Sequence, residues 1–201
     1  MTHNDILIQP KSVTAKIGPN ALIQTARALR DYTDETTYHA VLKRCNLLEL
    51  LHTEPAHMVD ERLFANLVRA LATLTGADDA RVILHRSGQL TANYLLQHRI
   101  PQPFQSLLAV LPRRLALHAL LFAISKHAWT FTGSGAFAYH VGHTTTLTVD
   151  CTIEPTEVTC AFYGGTFTKL LQTLIDHRLM INSSTAPHGE RTRCTYTAKI
   201  G

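Results

Sequence analysis

KHAWTFTGSGAFAY, residues 126–139, is the stretch on which the reading of this chain turns, because helical periodicity runs into it and two-residue alternation runs out of it. Taken as an extended strand, it puts Trp129, Phe131, Gly133, Gly135, Phe137 and Tyr139 on one face, followed by Val141. The opposite face carries Ala128, Thr130, Thr132, Ser134, Ala136, Ala138 and His140. One face is therefore aromatic and interrupted by two glycines.

Upstream, the pattern is helical. Pro19 suits a first helical turn, and Leu22, Ile23, Ala26 and Leu29 form an apolar stripe. Asp34 and Glu35 open a second helix through Tyr38, Val41, Leu42 and Cys45. Asp60 is a plausible N-cap for the clean series Leu63, Phe64, Leu67, Val68, Leu71 and Leu74, which Gly76 closes. Residues 78–98 continue as helix with Gly88 as a soft spot, until Ile100-Pro101-Gln102-Pro103 stops it. Two further pieces, 104–111 and 115–127, hinge at Pro112.

Downstream, Thr145, Leu147, Val149, Cys151 and Ile153 alternate with Thr144, Thr146, Thr148 and Asp150, and a hairpin turn falls at 140–143. Residues 159–176 return to helix through Phe162, Phe167, Leu170, Leu171 and Leu174. A third strand is expected over 178–183 and a fourth over 193–200, with Cys194, Tyr196, Ala198 and Ile200 on one face. The expected fold class is α+β: N-terminal helices plus helices covering a four-stranded antiparallel sheet. Residues 1–16 form a flexible lead-in, 17–125 a helical region and 126–201 the sheet-containing part, together one compact unit.

At 201 residues the chain can bury a sizeable core, and its 45% hydrophobic and 17% charged composition is that of a globular protein. The net charge of +4 is mild and its 19 Lys and Arg are dispersed, so no nucleic-acid footprint is read. Cys45, Cys151, Cys160 and Cys194 lie far apart without a CxxC pair, behind a polar N-terminus, and are read as reduced in a cytoplasmic protein. The apolar run 107–124 is interrupted by Pro112, Arg113, Arg114 and His118 and does not read as a membrane span; peripheral membrane contact stays open.

Gly133-Ser134-Gly135-Ala136-Phe137-Ala138 matches a loosened dinucleotide fingerprint, but strand rather than helix follows it, and no acidic residue stands at the expected distance. Glycines that bend a strand, or leave clearance for a flat ligand, suit the context better. His127 ends an apolar stripe of Leu117, Leu120, Leu121 and Ile124; it reads either as a packed histidine at a helix C-terminus or as a group beside a planar ligand. Aromatic faces usually serve packing, yet glycines add nothing to packing, which favours a ligand surface. Cys160 and Cys194 can meet across the last helix and last strand, and with His188 they are weak metal candidates. No nucleophilic triad is visible.

Several strings resemble bacteriochlorophyll-synthesis protein J: Ile17-Gly18-Pro19-Asn20-Ala21, Met58-Val59-Asp60-Glu61, Tyr94-Leu95-Leu96, His98-Arg99-Ile100-Pro101, and His127-Ala128-Trp129-Thr130-Phe131 with Gly133-Ser134-Gly135. That family is named for divinyl protochlorophyllide 8-vinyl reductase, with a 4-vinyl-reductase domain in its C-terminal half. The resemblance spans about residues 16 to 200. It implies a relationship to sensor domains that bind aromatic effectors and to subunits of a vesicle-tethering complex, all helix-covered antiparallel sheets. In the sensor branch three cysteines bind zinc. Cys160 and Cys194 match two of them, Ser183, Ser184 and Thr185 occupy the region of the third, and no tightly bound zinc is expected.

The resemblance implies a protein of bacteriochlorophyll biosynthesis acting at the 8-vinyl group of divinyl protochlorophyllide or chlorophyllide. Two main readings stand: a tetrapyrrole-binding accessory or substrate carrier, or the 8-vinyl reductase itself, using NADPH or another external reductant; the sensor-like fold adds a third, a non-catalytic sensor or scaffold for other biosynthetic enzymes. The expected ligand is a magnesium tetrapyrrole, with no tightly bound cofactor. The expected ligand-binding residues are His127, Trp129, Phe131, Gly133, Gly135, Phe137, Tyr139 and Tyr163. Other bacteriochlorophyll-synthesis enzymes and a second copy of the chain are the expected partners, nucleic acid is not, and the location is cytoplasmic or membrane-peripheral.

Overall fold

Period-two alternation from Ala136 onward folds as four antiparallel strands: β3 (Ala136–His140), β4 (Thr144–Cys151), β5 (Ile181–His188) and β6 (Arg191–Lys199), in spatial order β3-β4-β6-β5. The structure, a computed structural model, describes residues 15–189 and 191–199. Among these, β1 (Lys16–Ile17) pairs with β2 (Val59–Asp60) in a second, two-stranded ladder. The helices are α1 (Asn20–Tyr32), α2 (Glu35–Arg44), α3 (Glu61–Thr75), α4 (Ala77–His98), α5 (Gln102–Val110), α6 (Arg113–Lys126), α7 (Trp129–Thr132) and α8 (Thr156–Leu174), with a 3-10 turn at Leu48–Leu51. This is the expected α+β fold.

Local chemistry fixes many boundaries. Asp34 accepts a hydrogen bond from Thr37 N at 2.8 Å and Asp60 one from Arg62 N at 2.9 Å, so carboxylates satisfy free amides at the starts of α2 and α3. Gly76, at φ 87°, closes α3, and α4 begins at once. Pro101 and Pro112 precede α5 and α6.

Helix α8 is the middle layer. Toward the sheet it meets Leu147, Val149, Cys194 and Tyr196, all fully buried. The Tyr196 hydroxyl donates to the Cys160 carbonyl at 2.6 Å. Toward the other side it crosses α4 so closely that a Cβ on Gly88 would overlap the Phe162 carbonyl and one on Gly165 would overlap the His85 carbonyl. Gly88 is thus not a weak point in a helix but the position that lets two backbones touch. Behind α4, the Thr25 and Ser87 hydroxyls bond at 2.7 Å in a buried link to α1.

Three strand expectations shift. Lys16, expected in the lead-in, is strand; residues 1–14 of that lead-in lie outside the described residues, as does Ile200 of the final strand. The third strand begins at Ile181 rather than 178, because residues 176–180 form the turn in which Asp176 binds Arg178 N at 3.0 Å. The largest correction concerns the opening stretch. Trp129–Thr132 is a helical turn, and the strand starts only at Ala136. Thr132 N bonds to Ala128 O at 2.9 Å, and Gly133 then reverses the chain at φ 57°. Aromatic residues at alternate positions satisfied a strand pattern across what is a turn.

Candidate functional site

Where α6, α7 and β3 meet α8, rings from distant parts of the chain converge. Phe131 lies 5.7 Å from Phe137, 6.2 Å from Tyr163 and 6.4 Å from Phe167, centroid to centroid. Phe137 also meets Phe167 at 5.8 Å and stacks on Tyr139 at 6.2 Å. The inner register of the sheet places Phe137 opposite Val149 and Tyr139 opposite Leu147. Because β3 is an edge strand, these two rings and Phe131 are only half-buried, whereas Tyr163 and Phe167 beneath them are buried. The corner is an aromatic wall with one open side.

The structure brings together Phe131, Phe137, Tyr139 and Tyr163 of the expected ligand-binding residues. Trp129 and His127 stand apart from that wall. With the strand replaced by a helical turn, Trp129 is 61% exposed, and His127 sits at the exposed C-cap of α6 instead of on its buried stripe. His127 is therefore not a core histidine; its main chain holds the turn, its carbonyl accepting from Thr130 N and from Thr130 Oγ1 at 2.7 Å.

Gly133 and Gly135 have a local cause. A Cβ on Gly133 would collide with the Glu61 carboxylate, and one on Gly135 with the Asp150 carbonyl. The space that the sequence suggested as clearance for a ligand is filled by the protein itself. Glu61 accepts from Ser134 N at 2.8 Å and from Ser134 Oγ at 2.7 Å, and Ser134 Oγ lies 2.9 Å from Thr152 Oγ1. The amide that a phosphate would use in a dinucleotide fingerprint is already held by an internal carboxylate, so this glycine turn is no phosphate cradle.

The Tyr163 hydroxyl donates to Phe131 O at 3.3 Å, tying α7 to α8, and burial raises its pKa well above the ordinary phenol range. Thr145 Oγ1 escaped sequence reasoning. It is fully buried on the inner face of β4, two residues from Leu147, and has no hydrogen-bond partner among the described residues; Thr91 Oγ1 on α4 is the other such group. A buried hydroxyl without a partner is uncommon and is a natural handle for a ligand's polar edge. Only its place in the β4 alternation, not its lack of a partner, was legible beforehand.

Cys160 and Cys194 do meet, as the sequence allowed, but as a disulfide with Cα atoms 5.7 Å apart, not as two reduced thiols. Both side chains are buried between α8 and β6, which brings the sulfurs together. Cys45 and Cys151 are free and buried, their thiols pushed up to about 11 mainly by desolvation. His188 pairs with Arg191 in the β5–β6 register, three residues beyond Thr185, which faces Cys194. That is roughly 10 Å along the strand, too far for a shared metal. Among the described residues no three His, Cys, Asp or Glu side chains are grouped to hold an ion. A bonded sulfur pair flanked by hydroxyls does not fit zinc.

Two clefts lie elsewhere. One of about 320 Å³ runs between α4, α8 and β5 and is lined by Arg81, His85, Cys160, Ser183 and Tyr196. Burial lowers the pKa of His85 there. The other, of about 480 Å³, lies between α1, α2 and the 3-10 turn, with Arg27, Arg30, Tyr38 and Glu54 in its walls. Apart from Cys160, neither is lined by an expected site residue.

No protein-family model matches the chain. It is 29% identical over 170 residues to the bacteriochlorophyll synthase 23 kDa chain of Rhodobacter capsulatus, covering 83% of this chain and 78% of that protein. It is 31% identical over 135 residues to the protein of the same name from Cereibacter sphaeroides, covering 67% of this chain and 64% of that one. Among solved structures, it shares the fold of H-NOX proteins. One determined to probe haem distortion aligns at TM-score 0.60 and 11% identity, over 90% of this chain and 93% of that one. The unliganded Fe(II) H-NOX protein of K. algicida aligns at 0.56 and 11%, over 90% and 96%.

Proposed function

We propose that the protein binds a tetrapyrrole at the corner of α6, α7 and β3 and carries it to reduction of the 8-vinyl group of divinyl protochlorophyllide or chlorophyllide. The relatives named bacteriochlorophyll synthase 23 kDa chain indicate a role in bacteriochlorophyll biosynthesis. The observation that carries the binding reading is the half-covered ring wall of Phe131, Phe137 and Tyr139 over buried Phe167 and Tyr163. Stacked or edge-on rings contribute roughly 0.5–1.5 kcal/mol each beyond area burial, and a macrocycle can engage several at once. The unpaired Thr145 hydroxyl supplies a polar contact, with His127 and Trp129 at the exposed rim, His127 toward the magnesium. The fold shared with haem-distorting H-NOX structures supports a flat macrocycle as ligand, as a fold-level analogy.

Reducing a vinyl group to ethyl adds a hydride equivalent and a proton, and the protein's own glycine turn is occupied by Glu61. This favours the carrier over the alternative, in which the same corner is the active site of an 8-vinyl reductase served by NADPH or a partner. Mixing the purified protein with divinyl protochlorophyllide, with and without NADPH, and following absorption separates them. A shifted pigment band without turnover is expected; conversion to the monovinyl pigment makes it the reductase, and an unchanged spectrum sinks both.

A further inference from the structure

Helix α6 has an outward face that does not match its surroundings. Its inner side, Ala116, Leu117, Leu120 and Leu121, is buried, so ordinary amphipathicity calls for polar residues outside. Instead Leu115, His118, Phe122 and Lys126 succeed each other outward at helical spacing, and Trp129 follows in α7. Leu115 and Phe122 are each 55% exposed. Ten large hydrophobic side chains are exposed among the described residues, and five of them, Leu107, Val110, Leu115, Phe122 and Trp129, fall within residues 107–129. Such clustering marks an interaction surface rather than scattered surface apolarity.

The segment that carries this face is without acids. From residue 80 to residue 149 the sequence contains no aspartate or glutamate, while it carries Arg81, Arg86, Arg99, Arg113, Arg114 and Lys126. Arg113 is engaged by Asp176 at 2.9 Å, but Arg114 and Lys126 are exposed at either end of α6. The Lys126 ammonium lies 4.9 Å from the Phe122 ring centroid, so cation and ring are presented as one unit. Among the described residues no helix is long and apolar enough to cross a membrane.

From this combination we propose that the outer face of α6 and the adjoining Trp129 dock on an anionic lipid surface, the rings entering the headgroup boundary and Arg114 and Lys126 meeting lipid phosphates. Leucine, phenylalanine and tryptophan flanked by cations is the composition that lies in a bilayer interface, and the exposed charged residues of α6 itself are all cationic. The face adjoins the proposed pigment corner at Trp129, but lipid docking requires no pigment to be bound.

Trp129 is the sole tryptophan and reports directly. The full chain is floated with vesicles of phosphatidylcholine alone or mixed equally with phosphatidylglycerol, and tryptophan emission is recorded. Flotation and a blue shift are expected with the anionic vesicles only, both reduced by added salt. Lys126→Ala should weaken partitioning about fivefold and Phe122→Ser by more than about tenfold, without change in thermal midpoint because both side chains are exposed. Absence of flotation overturns the proposal, as does flotation that neither substitution alters. Self-association that Phe122→Ser abolishes, without lipid binding, gives the face to a second copy instead and also overturns it.

Discussion

The crossing of α4 and α8 and the corner of α6, α7 and β3 are both built around glycines, and they use them oppositely. At the crossing, Gly88 and Gly165 let two main chains touch, and both glycines are buried with Ile83, Leu84, Phe162 and Tyr163 around them. At the corner, Gly133 and Gly135 shape a turn held by one half-buried carboxylate, and the rings beside it are half-buried. Burial with backbone contact leaves no room for adjustment and gives a rigid core. A turn held by hydrogen bonds beside half-covered rings leaves apolar surface uncovered. The proposed ligand site lies in the second kind of place, because half-covered rings can meet a flat ligand without disturbing the first.

The largest effect should come from the crossing. Gly88→Ala or Gly165→Ala forces backbone against backbone, so each should cost about 3 kcal/mol, read from the urea midpoint of unfolding. A midpoint shift smaller than that of a corner variant would break the comparison. Next comes Gly133→Ala, which puts a side chain at φ 57° and displaces Glu61; about 2 kcal/mol is expected. A loss no larger than the roughly 1 kcal/mol that the positive φ alone costs would show that Glu61 does not depend on this glycine.

Thr145→Val sharpens the contrast with a change of sign. Removing a buried hydroxyl that has no partner should raise stability by about 1 kcal/mol while weakening pigment binding. Stabilisation with undiminished binding would take Thr145 out of the site. Smallest is a pH effect at the base of α6. The Arg178 side chain first, then its amide and Arg113, hold the Asp176 carboxyl down at about 2. A depressed carboxylate contributes stability above its unfolded value near 3.8 and loses it as pH falls toward about 2. Asp176→Asn should therefore flatten the stability curve in that window and lower it by a constant amount at higher pH.

The α+β fold was legible because its signals are periodic. The alternation of residues 144–151 and the stripes of α1, α3 and α8 hold in the structure almost residue for residue. What escaped reading was set by tertiary contacts. Strands β1 and β2, two residues each, carry no period. Gly88 and Gly165 are 77 positions apart, and nothing in either helix's periodicity says that each meets the main chain of the other helix. At the opening stretch, Phe131, Phe137 and Tyr139 were found through their chemistry although the strand assigned to Trp129–Gly135 was wrong. The turn there is chosen by Glu61, a residue 73 positions away.

Titration of divinyl protochlorophyllide followed by its absorption, on the wild-type chain and on Phe137→Leu, tests the assignment of the aromatic corner most directly. The wild type should shift the pigment band saturably, and the variant, still folded by circular dichroism, should bind about tenfold more weakly through loss of one ring face. Equal affinity in the two proteins, or no saturable shift in either, would contradict a tetrapyrrole site at this corner.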